Sequence, residues 1–464
     1  MDCYRTCDIR GRYPEELNED LFYHFGQSIA RKLLNGAPIL LGSDVRPSSI
    51  PLKQALADGL VSSGVKVFDA GRAPTPVLYY TKRKLGSFAA AIVTASHNPP
   101  AQNGLKLLLG RYPATAAQLR SLRPDNPVGL RKSRAAKLER VDLSEAYVDF
   151  LVETWRERRL EPGRQPSFKL VLDPGNGAWT LVVPEILRRL EFPASVIHDE
   201  PDGLFPNRSP DCAAPGTLLA LSEQVRRRGA SAGFAWDGDG DRVAVLDETG
   251  ARVYMDHLVL LMLPDLLRGT RGEKVLYDVK MSRRLRGAIE AEGATAVIER
   301  SAHCFLERRM IDDNCIFGCE YSGHLFFRSL AGVDDGMYAA LLVTDFLLRR
   351  DQPLSKLVVH LPQLFITPDL RIPGGQGEFE SIRRRLREEF APSEVSLFDG
   401  IRVETANAWF LVRPSVSEHK LSFRFEAETS DALQGIVERV ERLLPEHGFP
   451  LREQLQRREA AWGA

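Results

Sequence analysis

Short apolar runs alternate with amphipathic stretches along most of this chain. Residues 38–42 (PILLG) form a compact apolar run that ends in the polar loop Ser43-Asp44-Val45-Arg46. A helical spacing follows through Gln54, Leu56 and Leu60. Residues 64–71 and 88–94 repeat the strand-like texture, the second running into a polar turn. Strand-length apolar runs separated by helices predict βα units and a mainly parallel sheet. A basic, proline-containing stretch at 123–140 reads as a boundary, followed by a helix over 143–158. The pattern then restarts twice. Residues 168–173 predict a strand, 182–189 a helix and 233–237 a strand. Residues 274–278 and 294–298 predict strands, and 336–349 a long helix. From about residue 361 the texture changes to strands and amphipathic helices without buried parallel runs, which predicts a separate α+β unit. Three similar passes suggest an architectural repeat.

With 464 residues the chain is too long for one ordinary core and suggests about three or four domains. Hydrophobic residues make up 44% and charged residues 27%, which excludes disorder as the default. Lys+Arg and Asp+Glu are both 62, so no global field draws the chain to nucleic acid or an anionic membrane. Neither a secretory signal nor an apolar run of membrane-spanning length is apparent, and a cytoplasmic enzyme is the expectation. The six cysteines include two pairs spaced four apart, Cys3/Cys7 and Cys315/Cys319. A zinc site could add His303 and Cys304 to the second pair, but the CxxC spacing is missing, and free thiols are expected.

The densest chemical signal is Asp237-Gly238-Asp239-Gly240-Asp241-Arg242. Three carboxylates at alternate positions repel one another unless a cation sits among them, and the glycines let the backbone curl around it. All-oxygen ligands favour Mg²⁺ or Ca²⁺ over zinc. An EF-hand loop is excluded by Arg242 at its sixth position and by the strand-like run 243–246. Three carboxylates leave room for water or a phosphate oxygen. Thr94-Ala95-Ser96-His97-Asn98-Pro99-Pro100 follows an apolar strand, so Ser96 falls at the strand's carboxyl end, where open α/β sheets place ligands. His97 is adjacent and able to orient it. Ser-His-Asn-Pro alone is equally compatible with a plain turn.

Together with Asn103-Gly104-Leu105-Lys106, the serine segment resembles the phosphoserine signature of the α-D-phosphohexomutases. The resemblance extends to Asp8-Ile9-Arg10-Gly11, Gly42 to Arg46, Pro74-Thr75-Pro76, the loop 237–242, Gly318-Cys319-Glu320-Tyr321-Ser322-Gly323-His324 and Arg413-Pro414-Ser415-Val416-Ser417-Glu418. It is closest to the bacterial phosphomannomutase/phosphoglucomutase branch, with Asp278 to Arg284, Ser301-Ala302-His303 and Pro201 to Asn207 also similar to that branch.

What this resemblance implies is specific. The fold would be α/β with four domains around a central cleft: three α/β domains with mixed sheets over 1–142, 143–252 and 253–361, and an α+β domain over 362–464. The activity would be interconversion of hexose 1-phosphate and hexose 6-phosphate, of mannose or glucose, through phospho-Ser96 and a 1,6-bisphosphate intermediate. One Mg²⁺ per chain would be held by Asp237, Asp239, Asp241 and a phosphoserine oxygen on Ser96, and glucose 1,6-bisphosphate would act as activator. Arg242, Arg10 and Lys106 would supply positive charge at the phosphate, and His97 would orient the phosphoserine. His303 and Lys280 are both candidates for proton transfer. Glu320 and Ser322 would bind the sugar, and Arg413, Ser415 and Ser417 the distal phosphate. Hexose phosphates would be the partners, without nucleic acid or membrane, on a monomer or weak homo-oligomer. The fourth domain would close over substrate. Four positions depart from the branch: Cys7 replaces a Tyr, Tyr321 a Met, Val416 an Asn and His419 a Pro. The alternatives are a phosphoglucosamine mutase, a non-catalytic phosphosugar-binding relative, and a phosphatase that loses the phosphoryl group from Ser96 to water.

Overall fold

The computed structural model describes residues 3–124, 138–158, 168–391, 393–415, 420–444, 451–453 and 455. Within these, four sheets follow one another along the chain. The first is centred on three parallel strands, Ile39–Ser43, Val67–Arg72 and Ala89–Val93, with Gln102–Leu109 antiparallel against Ala89–Val93. The second has Leu170–Asp173, Ala194–Val196 and Ala232–Trp236 parallel, and Val243–Leu246 antiparallel. In the third, Lys274–Asp278, Thr295–Glu299 and Phe317–Cys319 are parallel and Leu325–Phe327 is antiparallel. Each sheet carries the same spatial order: the antiparallel strand, then the third, first and second parallel strands. The repeat that the apolar pattern suggests is therefore a repeat of topology. The fourth sheet is antiparallel throughout, built on Ile401–Glu404, Ala408–Pro414 and Lys420–Ala427, with helices Gln376–Glu389 and Ser430–Glu441.

This repeat places the chemistry. In each of the first three sheets, the chain leaves its third parallel strand and turns back into the antiparallel one. Those turns are 94–101, 237–242 and 320–324, which carry Ser96, the three aspartates and Glu320. The fourth sheet has its own return between Ala408–Pro414 and Lys420–Ala427, after Arg413 and Ser415. The strands feeding the turns are almost fully buried: Ala89–Val93, Ala232–Trp236 and Phe317–Cys319 have no exposed residue. Continuous apolar runs are what parallel strands covered on both faces require. Trp236, next to the aspartate turn, is fully buried.

The segment 123–140 lies largely outside the described residues; Glu139–Arg140 at its end joins the first sheet, parallel to Val67–Arg72. One expectation changes. The cysteines are not all free: Cys7 and Cys304 form a disulfide across 297 residues of chain. Only spatial proximity brings these two together, and their sequence spacing carries no trace of it.

Helix Gly336–Arg350 runs through the shared core. Its N-cap Asp335 is buried, with Oδ1 accepting from the N–H groups of Met337 and Tyr338, both at 2.9 Å, and Oδ2 from the Tyr147 hydroxyl at 2.7 Å. Asp335→Ala removes a cap and strands a buried hydroxyl, an expected cost of about 2–4 kcal/mol. A clear fall in the urea midpoint checks this, and Tyr147→Phe should lower it by a smaller step, about 1 kcal/mol.

Candidate active site

Ser96 stands on a turn that is fastened from below. Its φ of 51° is left-handed, uncommon for a residue with a side chain. Arg46, completely buried, donates to four carbonyls of that turn: Ser96 at 2.9 Å, Asn98 at 2.6 Å, Pro99 at 2.8 Å and Gln102 at 3.1 Å. Asp44 in turn accepts from Arg46 Nε and from the hydroxyls of Ser49 and Thr94. Arg10 reaches the same turn, donating to the Ala95 carbonyl at 3.0 Å and to Asn98 Oδ1 at 2.7 Å, while Asp8 holds its Nε at 2.7 Å. The Ser96 hydroxyl donates to Asp237 Oδ2 at 2.9 Å, and His97 Nδ1 lies 3.2 Å from it. Gly238 is required here, because a Cβ on it would meet the Ser96 carbonyl oxygen at 2.6 Å.

Asp237, Asp239 and Asp241 can each turn one oxygen into a common space, all within 4.8 Å of one another. Asp239 Oδ1 and Asp241 Oδ1 are buried without a hydrogen-bond partner. Their Oδ2 atoms are taken by Lys106 Nζ, at 2.6 and 2.5 Å, and Thr75 adds a hydroxyl to Asp239 Oδ2. The donor set fits a hard divalent cation on the remaining oxygens. Burial and the two neighbouring carboxylates push Asp237 up to about 8. Asp241 goes the other way: burial opposes ionisation, but the Lys106 ammonium outweighs it and holds its carboxyl well below the usual range. Lys106, expected from the resemblance to supply positive charge at the phosphate, places its ammonium against two of the three aspartates.

Above this floor lies a cavity of about 370 Å³. Its walls bring together Arg10, His97, Arg242, Lys280, His303, Glu320, Ser322, Arg413 and Ser415, so every described residue expected at the site either lines the cavity or sits under it. Ser417, Val416 and His419 lie outside the described residues. Glu320 accepts the Ser322 hydroxyl at 2.7 Å on Oε1, while its buried Oε2 has no partner. Arg413 Nε lies 3.0 Å from Asp399 Oδ2, which also accepts the Ser301 N–H at 3.0 Å. Lys280 donates at 2.8 Å to Asp369, which immediately precedes strand Leu370–Pro373 of the fourth sheet; burial lowers the lysine's pKa, although Asp369 opposes this. His303 is held neutral, its pKa well below the ordinary value through burial and then Lys106. His97 is shifted the same way by burial, Arg242 and Arg10.

Sequence reasoning left several supports without a role. Arg242 Nε donates to His324 Nε2 at 2.8 Å, and His324 Nδ1 lies 2.5 Å from Asp334 Oδ2. An Nε2 that accepts requires the proton on Nδ1, so Asp334 fixes the tautomer that positions Arg242. Arg208 braces the end of strand Ala232–Trp236 through the carbonyls of Asp173 and Trp236. Tyr321 lies under the Arg424 guanidinium, 3.6 Å from the ring centroid. Arg5, Arg371 and Lys420 add positive charge to the cavity wall. Buried or cleft-facing arginines were the available signal, but the partners named here lie 28 to 103 residues away along the chain.

Asp278, beside the sugar loop, is fully buried and accepts from the Lys280 N–H and the Ser301 hydroxyl. Burial, then Glu320, pushes its carboxyl up to about 7. The unfolded chain releases this proton near pH 4, the folded chain only near 7. Its contribution to stability is therefore full below about pH 4 and lost as pH rises through about 7. Asp278→Asn should gain on the wild type by up to about 1.4 kcal/mol per pH unit across that window. Unfolding midpoints of both proteins at about pH 5 and about pH 7.5 test this, and parallel shifts would refute it.

The fold has relatives among known proteins. Residues 2–122, 145–250 and 254–365 match the alpha/beta/alpha domains I, II and III of phosphoglucomutase/phosphomannomutase. The chain belongs to the phosphoglucomutase/phosphomannomutase family. It is 33% identical over 438 residues to a phosphomannomutase/phosphoglucomutase of Pseudomonas putida, covering 93% of each chain. A phosphomannomutase of Escherichia coli K12 is 35% identical over 371 residues, covering 77% of this chain and 80% of its own. A crystal structure of a phosphoglucomutase/phosphomannomutase family protein from Burkholderia thailandensis matches with a TM-score of 0.84 at 29% identity, over 95% of this chain and 96% of that one. Hexose phosphate mutase activity goes with membership of the family. Among the described residues no helix is long and apolar enough to cross a membrane.

Proposed function

We propose that this phosphohexomutase moves a phosphoryl group between O1 and O6 of glucose or mannose phosphates through Ser96. The observation that carries the reading is the meeting of the Ser96 hydroxyl, the three aspartates and a cation-rich cavity at the turns of three topologically equivalent sheets. Asp237, Asp239 and Asp241 would hold Mg²⁺, which supplies charge neutralisation at the transferring phosphoryl group. Glu320, with Oε2 free to accept and Ser322 beside it, suits hydroxyls in the middle of a sugar ring. Contacts there survive when the sugar turns end for end. Arg413 and Ser415 suit the non-reacting phosphate, and Asp399 is the carboxylate that phosphate would displace from Arg413.

Transfer to the sugar breaks the Ser96 Oγ–P bond, forms a sugar O–P bond, and leaves the hydroxyl proton to a base. His303 is better suited than Lys280: it faces the cavity and is kept neutral, whereas Lys280 is bound to Asp369. The Asp334–His324–Arg242 chain keeps a guanidinium aimed at the phosphoryl position without offering a competing base.

The test is turnover of glucose 1-phosphate and mannose 1-phosphate with Mg²⁺ and a trace of glucose 1,6-bisphosphate. Conversion to the 6-phosphates supports the reading. Release of inorganic phosphate in place of isomerisation, or no conversion by folded protein, would overturn it. Turnover of glucosamine phosphate alone would move the activity to the glucosamine mutase.

A further inference from the structure

The Cys7–Cys304 disulfide joins two walls of the cleft, and the phosphoryl chemistry makes no use of it. On one side, Cys7 precedes Asp8, which holds Arg10 and through it the Ser96 turn. On the other, Cys304 follows His303 in the first turn of helix His303–Asp312. That helix is tied to the first domain at its far end as well. The Tyr112 hydroxyl donates to Asp312 at 2.7 Å, and Arg308 donates to the Pro113 carbonyl at 3.2 Å while its guanidinium lies 4.6 Å from the Tyr112 ring centroid. The disulfide is the covalent half of a two-point attachment and sits at the cleft end. Cutting it leaves the far contacts as a pivot.

Access is one-sided. Both residues are largely buried, but Cys7 lines the cavity beside Arg5, Asp8, Arg10 and His303, while Cys304 does not. An anionic thiolate drawn by the cavity's arginines meets the Cys7 sulfur first. Cys304, in the first turn of a ten-residue helix, is the better leaving group, because the helix N-terminus stabilises its thiolate.

We propose that Cys7–Cys304 is a thiol-exchange site in the wall of the cleft, opened by a small anionic thiol that competes with sugar phosphate for entry. The thiolate forms a bond to Cys7 Sγ, the bond to Cys304 breaks, and the electron pair leaves on Cys304, which then takes a proton. A second thiolate attacks the mixed disulfide, frees Cys7, and leaves the small thiol as its own disulfide. Two electrons pass from two thiols to the protein, and the oxidised small thiol reverses the exchange. With the staple cut, His303 and the Asp8–Arg10 segment lose their fixed spacing and turnover falls. The competition rests on the sugar-phosphate reading of the cleft; the exchange does not.

Alkylation of denatured protein and mass spectrometry should label Cys3, Cys212, Cys315 and Cys319 without reduction, and all six cysteines after it. Reduced glutathione, added to native enzyme, should expose Cys7 and Cys304 together and lower kcat/KM about tenfold, reversibly with oxidised glutathione. Glucose 1,6-bisphosphate at about a hundred times its dissociation constant should slow the exchange about 100-fold if only the open cleft reacts. Cys304→Ser should show the lowered kcat/KM from the start and not respond to glutathione. Six free cysteines in air-oxidised protein, unchanged kcat/KM after complete reduction, or exchange that ignores the bisphosphate in an active enzyme would each overturn the proposal. A protein with no mutase turnover would sink the sugar-phosphate reading alone, while the paired labelling of Cys7 and Cys304 would still decide the exchange.

Discussion

Ser96→Ala is expected to lower hexose phosphate turnover by about 10⁴-fold or more, with the protein folded and the cavity intact. The substitution removes one atom, the oxygen that would carry the phosphoryl group. Alanine has the same difficulty as serine with the left-handed φ of 51°, so the turn itself gains no new strain. Arg46 and Arg10 hold that turn through the carbonyls of residues 95, 96, 98, 99 and 102 and through Asn98 Oδ1, and the change touches none of these atoms. The neighbouring hydroxyl of the same turn is committed elsewhere. Thr94 Oγ1 already donates to Asp44 Oδ2 at 2.7 Å and accepts the Ser96 N–H at 2.9 Å. Incubation with labelled glucose 1,6-bisphosphate should leave one phosphoryl group on each wild-type chain and none on the variant. Substantial turnover by Ser96→Ala would put the acceptor elsewhere in the cleft.

The strands and turns that carry this chemistry were legible because local physics places them. An apolar run such as 89–93, buried on both faces, has to be an interior strand, and a Ser-His-Asn-Pro-Pro segment after it has to turn. The triad of aspartates was legible for the same reason: three carboxylates crowded around two glycines repel one another, which favours a counter-charge nearby. What was not legible depends on which turns meet. Nothing local says that Lys106 would lie beneath Asp239 and Asp241, since it is 133 and 135 residues away from them. Nor does it say that Arg46 would bind four carbonyls of the serine turn, or that Asp334 would reach Arg242 through His324. The cysteines failed most plainly. Spacing within each pair was the available signal, and the bond instead joins Cys7 of the first pair to Cys304, which belongs to neither, because the approach to strand Ile9–Arg12 and the start of helix His303–Asp312 meet at the cleft.

The three aspartates lead to the second large effect, which has two opposite signs. Stripping divalent metal with a chelator should abolish turnover, and added Mg²⁺ should restore it, because neutralisation of the transferring phosphoryl group is worth about 10²–10³-fold or more in rate. Asp237→Asn should cause a comparable loss that Mg²⁺ does not restore. Its effect on stability should be the reverse. Burial, Asp241 and Asp239 all work against the charge on Asp237, which is why its carboxyl rises to about 8. An amide at this position no longer contends with its neighbours, and Asn can still accept the Gly240 N–H that Asp237 Oδ1 holds at 3.1 Å. In chelator, Asp237→Asn should therefore unfold at a higher temperature than the wild type. With Mg²⁺ the order should invert, because only the wild type gains from binding. Lys106 does not prevent this, since it occupies Oδ2 of Asp239 and Asp241 and leaves Oδ1 of each free. Calorimetric titration with Mn²⁺ should give one site per wild-type chain and binding weaker by roughly a hundredfold in the variant. A variant less stable than wild type in chelator would show that the three carboxylates are a structural hydrogen-bond cluster. A variant more stable there and inactive would show residues held at a cost to folding for the sake of a cation.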